Sequence, residues 1–163
     1  MQRRIARVEA VSARVRLFHC SLVPGLAQTP AYARAVFSDG GDITGEDLDR
    51  SVAERLDRQH ILDSGRDITL LMTEGALRWQ ASGPVVMADQ LSHVAELSHR
   101  PGVRVGVIPW TTAVGVFPTH GFSIYDSRAV IVGTRVATAF LTDPHDVAEH
   151  EKLFGTLEAL AAW

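Results

Sequence analysis

Asp67-Ile-Thr-Leu-Leu-Met-Thr73 and, thirty residues on, Val103-Arg-Val-Gly-Val-Ile108 are the two runs on which the fold turns. The first has a continuous apolar centre, the pattern of a strand buried on both faces, and the second alternates like a central strand. Between them Gly83-Pro84 opens a helix whose spacing places Met87, Leu91, Val94 and Ala95 on one face, closed at Arg100-Pro101-Gly102. Strand, helix and strand in that order predict a right-handed βαβ crossover. Glu74 to Trp79 is ambiguous, with room for one helical turn.

Working outward, residues 3–14 carry Ile5, Val8 and Val11, then Val15, at helical spacing among arginines, which predicts an amphipathic helix. Val15 to Val23 is rich in β-formers and ends at Pro24-Gly25, a turn, so a first strand fits there. Thr29-Pro30 is a helix start, with Thr29 as cap and Pro30 in the first position. That helix stops at Ser38-Asp-Gly-Gly-Asp42, a flexible acidic connection. Thr44 with Asp47 makes the next, capping-box-like start, followed by Leu48, Val52, Leu56 and the Gln59/His60 position. Glu46 with Arg50 and Glu54 with Arg58 are i,i+4 pairs suited to a solvated face. On the far side, a thirteen-residue connection (109–121) leads to β-prone runs at 122–126, 128–133 and 136–141, read as an antiparallel meander. Asp143-Pro144 then starts a last helix with Val147, His150, Phe154, Leu157 and Ala161 facing the sheet. The expected architecture is mixed α/β (α+β): five or six strands in a mixed sheet, with a βαβ unit and a carboxyl-terminal meander, covered by helices. It forms a single domain over 1–163, with a basic helix at 1–14 and the α/β body at 15–163.

The chain has 163 residues, 46% hydrophobic and 21% charged, which suits one hydrophobic core and excludes disorder or a disulfide scaffold. Sixteen basic against nineteen acidic residues give −3, the wrong balance for holding a phosphate backbone, so direct nucleic-acid binding is not expected. Lys152 is the only lysine. Five arginines (Arg3, Arg4, Arg7, Arg14, Arg16) crowd the first sixteen residues beside one acid, Glu9, a local basic patch. No signal-peptide core or membrane-length apolar run follows, and the single Cys20 fits a reducing compartment, so a cytoplasmic protein is expected.

The P-loop, the dinucleotide-binding glycine pattern, the serine elbow and the H-E-x-x-H pair are all missing, which weighs against an enzyme. His145, Glu149 and His150 share the first turns of the last helix, but a solvated helix start explains them better than a ligand set. His93 and His99 fit a helix edge and its carboxyl end, and Cys20 a small buried hydrophobe. No metal and no cofactor is therefore expected; a haem or metal use of His19, Cys20 or His120 is the third reading. The most suggestive stretch is Pro109 to Gly121, where Trp110, Phe117 and His120 suit the lining of an apolar pocket; the alternative is that Val114, Val116 and Phe117 cap the end of the sheet.

Leu22-Val-Pro-Gly-Leu-Ala-Gln-Thr-Pro-Ala-Tyr-Ala-Arg-Ala-Val36 resembles the hallmark of an actinobacterial family, domain of unknown function 5753. Further matches follow in order at Ala53 to Leu62, Glu74 to Arg78, Met87 to Leu91, Arg100 to Pro109 and Leu141 to Pro144. The resemblance implies the carboxyl-terminal part of Xre-type helix-turn-helix regulators, a sensing or partner-binding module that often works with a small protein encoded nearby. It implies no catalytic residue. One amphipathic helix cannot make a helix-turn-helix unit, so a dissected fragment or a stand-alone member is expected. Gly25 fits a turn after the first strand, while Gln28 and Tyr32 suit a polar network beneath the next helix. Arg55, Arg58 and Gln59 on one helix suit an anionic ligand, against the simpler reading of solvated pairs with Glu54; Arg55 is kept as a candidate because it lacks an i,i+4 acid on its amino-terminal side. The leading expectation is a module that binds a small apolar or aromatic molecule, or a small partner protein, through Trp110, Phe117, His120, Arg55 and Tyr32. It does so without nucleic acid or membrane, and homodimerisation is compatible with it. The alternative is a stand-alone enzyme or cyclase of secondary metabolism with an apolar pocket under the 109–121 loop.

Overall fold

Three strands, β1 (Arg14–His19), β2 (Asp67–Thr73) and β3 (Val103–Ile108), lie parallel, with Arg14 opposite Asp67 and Ile68 opposite Val103. The computed structural model describes residues 2–38, 43–134 and 137–163. On the other edge of β1 runs an antiparallel meander of β4 (Phe122–Tyr125), β5 (Ala129–Gly133) and β6 (Thr138–Leu141). The sheet order is β3-β2-β1-β4-β5-β6, so the parallel and antiparallel halves meet at β1 and the strand order turns round there.

The helices are α1 (Gln2–Ala10), α2 (Pro30–Phe37), α3 (Gly45–Asp57), α4 (Glu74–Arg78), α5 (Pro84–Leu97) and α6 (Pro144–Glu158). Strand side chains alternate between faces, and the two faces receive different covers. Val15, Leu17, Ile68, Leu70, Met72 and Val103 share a core with Tyr32 of α2 and Met87, Val94 and Leu97 of α5, with Ile5 and Val8 of α1 at its margin. Phe18, Leu71, Ile108, Phe122, Ile124 and Val130 face Val147, Phe154 and Leu157 of α6. The third helix lies further out, where Leu48 and Val52 pack with Ala33 of α2.

The βαβ unit and the meander stand where the apolar periodicity predicts them, with several local differences. The first helix ends at Ala10, short of residue 14, because the Ser12 hydroxyl donates to Val8 O and the Asp126 carboxylate accepts from the Ala13 and Arg14 amides, drawing them into the strand. The first strand stops at His19, since the chain then turns into a 3-10 turn at Gly25–Ala27. Thr29 does cap α2, accepting from Tyr32 N at 3.3 Å, and Asp143 caps α6 through His145 N. Thr44 precedes α3 but its side chain makes no capping bond. On α5 the inward residues are Met87, Gln90, Val94 and Leu97; Leu91 is 40% exposed and Ala95 also lies outside. Helix α3 gives way at Arg58 to a 3-10 turn (Arg58–Asp63), and Arg58 is buried rather than on a solvated face. Three of the amino-terminal arginines are engaged with the body of the fold. Arg4 sits over the Phe140 ring, Arg14 pairs with Asp67 and Arg16 with Glu151. The acidic connection at 39–42 and the first residue of the 136–141 run lie outside the described residues. No described helix is long and apolar enough to cross a membrane.

Candidate functional site

The chain leaving β1 is irregular yet buried without a break from Val23 to Gln28. Irregular backbone taken out of water must find partners for its amides and carbonyls, and here side chains supply them. Gln28 Nε2 donates to Val23 O at 2.8 Å, and Gln59 Nε2 donates to Gln28 O at 2.7 Å and to Gly25 O at 3.3 Å. From α5, Gln90 Nε2 donates to Ala27 O at 2.6 Å while its Oε1 accepts from Thr29 N at 2.8 Å. The fully buried Tyr32 hydroxyl accepts from Val23 N at 3.2 Å, and burial pushes its pKa up. Thr73 Oγ1 at the end of β2 donates to Cys20 O at 2.6 Å.

Arg55 of α3 lies across this segment. Its Nη1 donates to Gln28 Oε1 at 2.6 Å, and its guanidinium sits 4.5 Å from the Phe37 ring centroid. A Cβ on residue 25 would stand 3.1 Å from Arg55 Nη1, so only glycine leaves the guanidinium this room. Arg55 has no carboxylate partner among the described residues, and its Nε is sealed from water without a hydrogen bond. Burial pulls its pKa down to about 10, and the like charge of Arg58 adds to the pull against the opposing Glu9.

His19, the last residue of β1, is near enough to feel both arginines. Crowding by protein atoms, then Arg55 and Arg58, depress its pKa to about 4, so the imidazole is neutral at physiological pH. Its Nδ1 would lie 3.5 Å from a Cβ on Gly121, at the entry to β4. Beneath them Arg58 forms a two-pronged pair with Glu9, Nε to Oε2 at 2.8 Å and Nη2 to Oε1 at 2.5 Å, and Tyr125 OH donates to Glu9 Oε1 at 3.3 Å. Glu9 is 1% exposed.

The 109–121 connection is built differently. Its Trp110 amide donates to Glu74 Oε2 at 2.9 Å, Arg78 lies 5.4 Å from the Trp110 ring, and the Trp110 indole lies beside Gly75. Phe117 is 80% exposed and Trp110 64%. His120 turns the other way, 6.1 Å from the His150 ring of α6 and 6.1 Å from Phe122. The five residues singled out from sequence therefore fall in three places: Arg55 and Tyr32 at the segment after β1, Trp110 on α4 with Phe117 out in solvent, and His120 against α6. Two shallow, open hollows lie elsewhere, at the amino ends of β2 and β3 around Gly65, Arg66, Asp67 and Gly102. Among the described residues no three His, Cys, Asp or Glu side chains are arranged to hold a metal ion.

A family model described as Domain of unknown function (DUF5753) matches residues 2–162. The chain belongs to this family. No curated protein matches it. In this DUF5753 member the hallmark stretch from Val23 to Tyr32 is the hydrogen-bonded segment itself, so its pattern is accounted for by folding. Sequence reasoning missed three residues of the DUF5753 chain that matter here: Gln90, Arg58 and His19 as a neighbour of Arg55. Two signals were available. Glu9 is the lone acid among the first arginines and lies four residues after Ile5 on the apolar stripe, where a buried carboxylate needs a cation. Gln90 stands three residues after Met87 and four before Val94, on the core stripe.

Proposed function

We propose that this domain is a non-catalytic recognition module that binds a protein partner, as the carboxyl-terminal part of an actinobacterial helix-turn-helix regulator would, without contacting nucleic acid itself. The observation that carries the reading is that the segments following β2 and β3 leave large aromatics in water: Trp79 is 69% exposed, Trp110 64% and Phe117 80%. Large aromatics left in water on one end of a domain are the side chains that anchor protein interfaces. The cytoplasm is the compartment this reading requires.

Titration calorimetry of the purified protein with the small protein encoded beside its gene tests the reading. Binding is expected, weakened roughly thirtyfold by Trp110→Ser or Phe117→Ser, the scale of losing one anchoring aromatic. Full affinity in the double variant would overturn it.

A further inference from the structure

We infer that the carboxyl end of β1 is a binding site for an oxyanion group, a carboxylate or phosphate borne by a small ligand, received by Arg55 and His19. Three observations converge. The site lies where the parallel half of the sheet meets the antiparallel half, outside the carboxyl end of β1, the place at which open α/β sheets leave a crevice for ligands. Of the five N–H donors of Arg55, one on Nη1 is engaged by Gln28 and the one on Nε is sealed, while no described residue accepts from Nη2, which unlike Nε is not sealed. His19 makes no hydrogen bond with the described residues, and its ring nitrogens are likewise not sealed.

The electrostatics point the same way. Arg58 has its own carboxylate in Glu9, whereas Arg55 has only the neutral Gln28 and the face of Phe37. A cation held largely out of water with no carboxylate in contact is costly unless something anionic joins it. Arg55 can offer charge-assisted Nη2 donors and His19 a ring N–H to one anionic group. The bond to Gln28 and the Phe37 contact leave Nη2 of Arg55 without a folding role, and no described residue bonds the His19 ring.

The inference is independent of the aromatic surface, and the two fail separately. The test is NMR on the whole chain, following the Arg55 side-chain N–H and the His19 ring, with inorganic phosphate and then acetate titrated in at constant ionic strength held by chloride. Saturable shifts at both residues are expected, with dissociation constants on the order of 1 mM for such minimal probes. Phosphate stronger than acetate assigns a phosphate-bearing ligand, and the reverse a carboxylate. Arg55→Lys, which keeps the charge but loses the fork, is expected to weaken binding about tenfold. His19→Asn, which leaves the Gln28 contact intact, should weaken it less and guards against an Arg55 variant that loses its fold. Shifts that fail to saturate, or that chloride reproduces, would overturn the assignment.

Discussion

Two connections leave the carboxyl ends of parallel strands, 20–29 after β1 and 109–121 after β3, and both are irregular and carry Gly and Pro. The first is buried and bound by side chains from α3, the following 3-10 turn and α5; the second stays in water, with Trp110 N on Glu74 and Thr112 N on Pro109 O among its ties. Burial without regular structure demands amide side chains that donate and accept at once, which is why Gln28, Gln59 and Gln90 converge on one segment. The exposed connection makes no such demand. Phe117, 80% exposed, therefore has no folding reason to be there, and Trp110, 64% exposed, has only its contacts with α4, so the contrast separates residues that build the domain from residues free to serve a partner.

The sharpest break between the regions is expected beneath the first one. Glu9→Ala removes the buried carboxylate that holds Arg58 and Tyr125, and should cost about 3–5 kcal/mol in denaturant unfolding, enough to prevent folding of a marginal domain. A loss under about 1 kcal/mol would show that water reaches Arg58 and that the pair is not a true interior contact. Next comes Gln90→Ala, which orphans Ala27 O and Thr29 N together. A loss of about 2–3 kcal/mol is expected, and Gln90→Met, similar in length and without the amide, should recover little of it.

Much of this contrast was legible beforehand, for identifiable reasons. Apolar runs and their bounding turns report burial directly, so β2 and β3 are read residue for residue from their sequence, and Thr29-Pro30 and Asp143-Pro144 mark true helix starts. Polar partners are a different matter. Glu9 and Arg58 are forty-nine residues apart, and Arg55 and Gln28 twenty-seven, so local spacing carries no trace of either contact. The i,i+4 spacing of Glu54 and Arg58 reads as a solvated face, whereas Arg58 is buried against Glu9. The aromatic loop shows the converse: its length and composition singled it out, but only the coordinates reveal that Trp110, Phe117 and His120 point to different surroundings.

A smaller effect is expected from acid. His19 titrates near 4 in the folded chain against about 6.5 when unfolded, so between those values the unfolded state binds more protons. Stability from the neutral imidazole is complete above about pH 6.5 and is lost as pH falls toward 4, a span of about 1–2 kcal/mol once the ring's remaining exposure is discounted. His19→Asn should flatten the melting-temperature profile across this window. An unchanged profile would mean that the ring is freely solvated and that the first region is looser than its hydrogen bonds imply.

The smallest stability effect belongs to the second region, and it is the one that decides what the contrast means. Phe117→Ser removes a ring that is 80% exposed, so it should change unfolding free energy by less than about 0.5 kcal/mol in either direction. Trp110→Ser forfeits the Arg78 contact and should cost somewhat more, on the order of 0.5–1 kcal/mol. A residue whose removal leaves the fold untouched while abolishing association is retained for association, whereas one whose removal unfolds the chain says nothing about a partner. If Phe117→Ser instead costs as much as Gln90→Ala, the ring is packed in solution, the 109–121 connection is a second buried segment, and the aromatic end loses its claim as a docking surface.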